Sequence, residues 1–323
     1  MVIIKMDNFA FLLVTYRNDF LYAKRLIETY YKYNIDNLPL YIVLPSADED
    51  EFNKLLNNSD KKISILAQEE ICPYLVTKSI GDIPPGYINQ EILKLSFWET
   101  KLCNNYFCLD SDGMFIREFY VSDFMYDAEI PYTVLFEDND LKADPLYYKI
   151  YWKQREESLR KIQQTLGISD KRLLTCHGFQ VFSSKVLEHL KCNFMKKHNY
   201  SYKDLLAIAP YEFSWYNFYL QKEKVIPIHF CDQIFKYFHM EHQHLLTWIQ
   251  GVTLDDLARS YVGIVIQSNF SRKKRLLAYD DVGSYISILP PKRILFLIKL
   301  SCLSYFRYFR KGVKFLIKKI MKR

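Results

Sequence analysis

The sequence predicts an α/β protein: a mixed, chiefly parallel sheet flanked by helices, with a basic amphipathic helix at its carboxyl end. Three observations carry this. Short, wholly apolar runs alternate with segments of helical periodicity through the first third of the chain. An acidic turn, Asp110-Ser111-Asp112, closes the fourth of these runs. The surplus positive charge lies almost entirely beyond Pro290.

Taken in order, Phe9 to Thr15 (FAFLLVT) is an apolar run suited to a strand buried on both faces. Asp19 to Tyr33 repeats Phe20, Ala23, Ile27 and Tyr30/Tyr31 at helical spacing. Leu40 to Leu44 (LYIVL) is a second buried strand, stopped by Pro45-Ser46, and Asp48 to Leu56 is helical. Lys62 to Leu66 is a third strand, and residues 88–102 repeat Ile88, Ile92, Leu95, Trp98/Glu99 and Leu102 as a helix. Tyr106 to Leu109 then forms a strand that ends at the acidic turn. Strands that alternate with helices imply right-handed βαβ units. Further on, the pattern predicts strands at Tyr132–Phe136, Gln180–Ser183 and Val225–His229, with GIVI near residue 264 as the last. It predicts helices at Tyr147–Leu166, from Lys185 onward, and at Glu212–Gln221.

At 323 residues the chain holds one large domain or two small ones, since a domain averages about 150 residues. With 50% hydrophobic and 25% charged residues it is not a disordered chain, and 9 Gly with 11 Pro exclude collagen-like or linker-rich designs. Aromatics reach 16%, with 26 Tyr and 23 Phe, a composition suited to thick sheets and stacking surfaces. The 7 cysteines are scattered and contain no CxxC pair, which argues against a disulfide framework or a four-cysteine zinc site and for a reducing, cytoplasmic setting. The amino terminus lacks a basic stretch before its apolar residues and a small-residue cleavage site, so it reads as a first strand rather than a signal peptide.

The net charge of +7 is unevenly spread. Residues 282–323 hold 11 Lys/Arg and no acidic residue, leaving 33 basic against 37 acidic residues in the preceding 281, a net of −4. A nucleic-acid-binding body is usually basic, so nucleic acid is not an expected partner. Pro290-Pro291 marks the boundary between a body, 1–289, and a tail, 290–323. Within the tail Arg307, Arg310, Lys311, Lys314 and Lys318 form one helical stripe, and Phe306, Phe309, Val313, Leu316, Ile317 and Ile320 form another. The run Ile294–Phe306 is interrupted by Lys299 and is shorter than the roughly 20 residues that span a bilayer. The expectation is a helix lying in the surface of an anionic membrane through 291–323, a peripheral attachment at the inner face of the cell membrane. A helix packed on the protein itself or on a partner is the alternative.

The DSD turn carries the chemistry. Two carboxylates on alternate residues past a buried strand can reach one hard cation through oxygen, and ligands of open α/β sheets gather at the carboxyl ends of strands. A divalent ion there bridges the phosphates of a nucleotide and neutralises the charge of a departing diphosphate. The strings FLLVTYRND, GYINQEILKLSFWET, YFCLDSD, HGFQVFSS, YEFSWYNFYL and YVGIVIQSNFS together resemble nucleotide-sugar glycosyltransferases of the GT-A fold. More narrowly they resemble a bacterial GT-A-like family catalogued as a domain of unknown function, over roughly residues 8–271. The tail lies outside the resemblance.

The resemblance implies a metal-dependent sugar transfer with Mn²⁺ or Mg²⁺. It implies a nucleotide-sugar donor and a saccharide acceptor, lipid-linked or belonging to a surface polysaccharide such as lipopolysaccharide or capsule. Thr15, Tyr16 and Asp19 would meet the base and ribose; Gln90 and Lys94, one helical turn apart, would face the donor, Lys94 offsetting phosphate charge. Asp110 would touch ribose or metal, with Asp112 the firmer metal ligand and His229 or His239 completing the shell. Glu212, in aromatic company at a helix start, would have its pKa raised and serve as the base of an inverting transfer; without it a retaining course is favoured. His177, Gly178 and Gln180 would form an acceptor loop, and Gln267 and Asn269 would contribute amides. The run from His239 to His244 lacks the HExxH spacing of a zinc site.

Each of these residues also has a plain structural reading. The competing functional classes are a nucleotidyl or phosphoryl transferase on a similar scaffold and a catalytically silent membrane-associated assembly protein. The absence of a GxxxxGK[ST] loop weakens the first, and the intact DSD weakens the second.

Overall fold

A computed structural model describes residues 6–56 and 63–267, together with scattered positions of the tail between 291 and 313. The chain divides into two compact units, Met1–Lys236 with Tyr261–Ile264, and Tyr237–Ser260 with Val265–Arg323.

The first unit is built on a five-stranded mixed sheet. Its strands are β1 (Asp7–Val14), β2 (Leu40–Leu44), β3 (Ile63–Ala67), β4 (Cys103–Leu109) and, after two short strands β5 (Gly113–Phe115) and β6 (Tyr132–Val134), β7 (Val181–Ser183). The order across the sheet is β3-β2-β1-β4-β7. β1 runs parallel to β2, pairing Phe11 with Leu40, and parallel to β4, pairing Leu13 with Leu109. β7 is antiparallel to β4, pairing Tyr106 with Phe182. The mixed sheet flanked by helices expected from the sequence is therefore what the first unit contains.

The all-apolar runs of β1 and β2 are buried on both faces, as strands covered by helices must be. Phe11 is a hub: its ring meets Tyr30, Phe107, Phe115, Phe119 and Phe124 edge-on at 5.2–5.9 Å between centroids. Edge-to-face pairs of this kind add to burial itself, and they account for part of the aromatic richness of the chain.

The helix predicted over 88–102 spans Pro85–Ser96, opening with proline in its first turn, where the missing N–H costs nothing. A single tight turn, Phe97–Thr100, follows it and ends at Lys101, whose φ of 56° is left-handed. The segment predicted as one helix from Tyr147 begins at Pro145 and passes through a π-turn at Tyr148–Trp152 before the regular helix Lys153–Leu166. The strand predicted at Val225–His229 lies later, at β8 (His229–Cys231), parallel to β6.

Two more strands are β9 (Phe235–Phe238) and β10 (Gly263–Ile266). Ile116 N–H donates to Val262 O (2.9 Å) and Val262 N–H to Ile234 O (2.8 Å), so β5 and the starts of β10 and β9 run side by side. The second unit contains the helices Glu241–Ile249 and Leu254–Ala258. The described tail positions, including Leu295, Ile298, Phe306, Phe309 and Val313, are helical, and these five apolar side chains are exposed.

Candidate active site

The strand order places a topological switch point between β1 and β4. From β1 the chain proceeds to β2 and β3 on one side, then returns to add β4 on the other. The loops leaving β1 and β4 lie at the carboxyl edge of this point, where ligands of open α/β sheets bind. Thr15 and Ser111 are the first residues to face each other there. Ser111 Oγ bonds Thr15 Oγ1 at 2.9 Å, with both side chains buried, so the two loops are tied together at their roots.

The DSD sequence is a tight turn, with Gly113 N–H donating to Asp110 O (3.1 Å). A Cβ on Gly113 would lie 2.9 Å from Cε1 of the Phe179 ring, so this position requires glycine if the ring is to stay. Asp110 and Asp112 are both half-buried, and Arg25 Nη2 donates to Asp112 O (3.4 Å). Asp19, Asp112 and Arg25 all act electrostatically on the Tyr22 hydroxyl; burial, then the two carboxylates, push its pKa up while Arg25 opposes them. Asp19 from the first loop and Asp112 from the second thus converge on one side of the switch point. Tyr16, 46% exposed, stands at the end of β1.

On the inner side, Lys94 bridges two carboxylates. Its Nζ lies 2.9 Å from Asp110 Oδ1 and 2.9 Å from Glu212 Oε1, and 5.0 Å from the centre of the Phe213 ring. Gln90 Nε2, one helical turn away, donates to the same Asp110 Oδ1 at 3.1 Å. Among the described residues Asp110 Oδ2 takes no hydrogen bond, and it lies on the side of Gly178, where an added Cβ would come within 3.9 Å. Lys94 is 2% exposed. Burial alone would lower its pKa, but Asp110, Glu212 and Glu91 outweigh burial and raise it well above the ordinary value, so it is a fixed cation. The ammonium expected to offset donor phosphate charge is buried and paired with the two carboxylates.

Glu212 also departs from expectation. Burial acts to raise its pKa, as the sequence suggested, but the Lys94 charge and hydrogen bonds from Glu91 and Lys94 prevail and hold it below the ordinary carboxylate range. Glu91 is shifted the other way. Burial, followed by the neighbouring Glu212 charge, pushes its carboxyl well above the ordinary range. The site therefore holds a buried Lys94 cation between Asp110 and Glu212, with the buried Glu91 carboxyl on the same helix. A buried, ion-paired carboxylate of depressed pKa is poorly suited to take a proton from an acceptor hydroxyl.

The HGFQ loop wraps the outer side of the turn. His177 Nε2 is 2.6 Å from Asp138 Oδ1, in a buried group that Arg155 joins at 3.8 Å from Asp138 Oδ2. Burial and Arg155 outweigh Asp138 and lower the His177 pKa. Its ring is 7% exposed, which suits an anchor of the loop better than a direct contact to an acceptor. Gly178 has φ of 147°, a conformation reserved for glycine, and Phe179 has φ of 55°. A phenylalanine in left-handed geometry is held there by packing, here against Phe235 at 4.7 Å and Phe107 at 6.2 Å. Gln180 is wholly buried, with both ends of its amide lacking a partner among the described residues. It occupies the β7 register opposite Cys108, to which its carbonyl bonds (3.1 Å), so it is a wall of the site rather than a surface contact.

The remaining expected residues lie elsewhere or outside the description. His229 stacks on Tyr126 at 3.5 Å beside the Asp127 turn. The neighbouring Ala128 and Glu129 carbonyls bond Asn8 and Asn105, at the amino ends of β1 and β4. His229 therefore sits at the end of the sheet opposite the DSD turn and does not complete a shell around it. His239 and Gln267 belong to the second unit; His239 is buried and stacks on Tyr237 at 4.3 Å. Asn269 lies outside the described residues. The sequence reading passed over Arg25, Glu91 and Gly113. Gly113 was findable as the fourth residue of a DSDG turn, whereas Arg25 and Glu91 read locally as ordinary helix surface.

The donor set fits a hard divalent cation: two carboxylates presented on one turn, one with a free oxygen. Among the described residues no three His, Cys, Asp or Glu side chains converge as a cage. A cation here would take oxygens from the turn and the rest from phosphate and water, the usual arrangement for Mg²⁺ with nucleotides.

No curated protein matches the chain. Among solved structures the chain is similar to the apo form of mouse xyloside xylosyltransferase 1, at 11% identity and a TM-score of 0.46, over 81% of this chain and 98% of that one. A family model matches residues 14–256, three quarters of the sequence, so the chain belongs to the DUF6492 family, a family of unknown function.

Proposed function

We propose that the protein is a glycosyltransferase that moves a sugar from a nucleoside-diphosphate sugar to a saccharide acceptor with Mn²⁺ or Mg²⁺. The observation that carries this is the DSD turn at the β1/β4 switch point, with Asp110 held from behind by Lys94 and Gln90 and its Oδ2 without a hydrogen bond among the described residues. In this reading Tyr16 and Asp19 receive the base and ribose, while Asp110 and Asp112 would hold the cation. When bound, that cation supplies charge neutralisation to the leaving diphosphate. Lys94 keeps Asp110 oriented, Ser111 and Thr15 keep the two loops in register, and Gly178 lets the donor approach the turn closely. Glu212 positions Lys94 and is not the base. With no carboxylate freed for proton abstraction by this arrangement, the reading favours transfer with retention at the anomeric carbon.

The acceptor is proposed to be a lipid-linked or surface-polysaccharide saccharide met at the cytoplasmic face of the membrane. The support is the tail: 11 basic and no acidic residues over 282–323, with Leu295, Ile298, Phe306, Phe309 and Val313 helical and exposed. Among the described residues no helix is long and apolar enough to cross a membrane. Such a helix lies in the interface, its apolar side chains in the acyl boundary and its cations on headgroup phosphates.

A thermal-shift screen of nucleoside diphosphates and their sugars, with and without Mn²⁺ or Mg²⁺, tests the donor reading. A metal-dependent shift with the wild type that Asp112→Ala removes, without lowering the melting temperature of the free protein, is expected. A response to no nucleotide would overturn the proposal.

A further inference from the structure

Tyrosines gather on the HGFQ side of the DSD turn. The π-turn Tyr148–Trp152 exposes Tyr148, Ile150 and Tyr151, with Tyr151 50% exposed. Large apolar residues exposed singly need no explanation, but a cluster of them marks a contact surface, and π-turns recur at functional sites. A run of contacts joins this cluster to the turn. The Tyr151 ring lies 5.8 Å from that of Tyr147, which meets the His177 ring edge-on at 6.1 Å. The next residue, Gly178, stands beside Asp110, where an added Cβ would come within 3.9 Å of Oδ2. From the other direction Gln90 holds Asp110 (3.1 Å). Tyr87, about one turn earlier on the same helix, is exposed and donates its hydroxyl to Pro210 O (3.3 Å). Half-buried Tyr211 follows Pro210; the Arg155 guanidinium lies over its ring at 4.8 Å and donates to Cys176 O (3.0 Å), which returns the run to the HGFQ loop.

We propose that Tyr87, Tyr211 and Tyr151 form the binding surface for the acceptor, and that Tyr151 stacks on an inner sugar of a disaccharide or longer chain. The inference rests on the donor reading above, which seats the nucleoside on the Tyr16 and Asp19 side and leaves the HGFQ side for sugars. The chemistry of the two surfaces matches. A pyranose carries C–H groups on its faces and hydroxyls around its rim. Tyrosine offers an apolar ring whose negative face attracts polarised C–H groups, with a hydroxyl at its edge. It presents that area with only two side-chain torsions to fix. The Tyr147 ring stands between Tyr151 and His177, so a sugar resting on Tyr151 is not the unit that receives the transferred group. A single sugar at the turn gains nothing from Tyr151, whereas a chain of sugars does.

Saturation-transfer NMR on the full chain with cellobiose, lactose, maltose and N,N′-diacetylchitobiose tests this, because stacking on a ring face tolerates changes of sugar. Wild type is compared with Tyr151→Ala and Tyr151→Phe. At least one disaccharide is expected to receive saturation from wild type, to bind Tyr151→Ala about fivefold or more weakly, and to bind Tyr151→Phe within roughly twofold of wild type. Should Tyr151→Ala fail to fold, wild-type protein carrying ring-deuterated tyrosine replaces it, and irradiation of the aromatic protons is expected to transfer less saturation to the sugar. No saturation of any disaccharide by wild type, undiminished binding by Tyr151→Ala, or undiminished transfer from the deuterated protein would overturn the inference. A Tyr151→Ala variant that keeps disaccharide binding but loses sedimentation with phosphatidylglycerol vesicles would make the cluster a membrane contact and overturn it as well. Calorimetry of wild type with a nucleoside diphosphate and Mn²⁺ separates the two readings: disaccharide binding without nucleotide binding supports the sugar surface and defeats the donor site.

Discussion

Replacing Lys94 by methionine isolates the electrostatic centre of the site, because methionine fills the space of the lysine stem and removes its ammonium. Lys94 is 2% exposed and pairs with Asp110 and Glu212 at 2.9 Å, and the Glu212 side chain is 6% exposed. The inner pair is thus shielded from water, and the small values typical of surface ion pairs do not apply. Removing one partner of a buried pair costs about 3–5 kcal/mol, since the other charge is left uncompensated. The loss also carries a sign in pH. With Lys94 gone, burial and Asp110 push the Glu212 pKa above its unfolded value, so folding of the variant takes up a proton. Stability of that kind is present below the unfolded carboxylate pKa, about 4.3, and is lost as pH rises toward the raised folded value. Urea denaturation at pH 5 and pH 8 should therefore show a larger deficit for Lys94→Met at pH 8. A deficit under about 1 kcal/mol at both values, or one equal at both, would refute the buried-bridge argument.

Three further outcomes follow from the same geometry. Gly113→Ala places a Cβ 2.9 Å from the Phe179 ring, which is already pinned in left-handed backbone geometry, so a loss of about 1–3 kcal/mol in urea denaturation is expected, with weaker metal-dependent nucleotide binding. Wild-type stability in that variant would show that the loop shifts freely. For Glu91, whose folded pKa is raised, the contribution to stability falls as pH climbs above the unfolded value, by at most about 1.4 kcal/mol per pH unit. Melting temperatures measured from pH 5 to 8 should show Glu91→Gln gaining on wild type as pH rises; parallel curves would contradict a raised Glu91 pKa. Deleting residues 291–323 should abolish sedimentation with vesicles of anionic lipid and leave metal-dependent nucleotide binding intact. Retained vesicle binding would refute the anchor.

Much of the frame was readable because its strands are buried on both faces. Phe9–Thr15 and Leu40–Leu44 are continuous apolar runs, and each matches an observed strand to within two residues. The three-residue β5 has no such signal, being formed by a turn and by the approach of Val262. The acidic turn was legible as well, since two aspartates after YFCL place carboxylates at a strand end by local rules alone. What could not be read was the company those carboxylates keep. Lys94 and Glu212 are 118 residues apart, and only the folded chain shows that the cation reverses the pKa direction that burial alone would give Glu212. The HGFQ pattern likewise gives no sign of Asp138, far upstream, which lies against His177 Nε2. A single acid such as Glu91 in a helix reads as a solvated face unless the opposing helix is known.

Isothermal titration of the full chain with a nucleoside diphosphate, with and without Mn²⁺, addresses the switch-point site most directly when wild type and Asp112→Asn are run side by side. The geometry predicts binding by wild type that requires the metal, and loss of the metal-dependent part when a neutral amide replaces the carboxylate. Equal binding by both proteins, or heat from neither, would contradict a cation-and-diphosphate site on the Asp110–Gly113 turn.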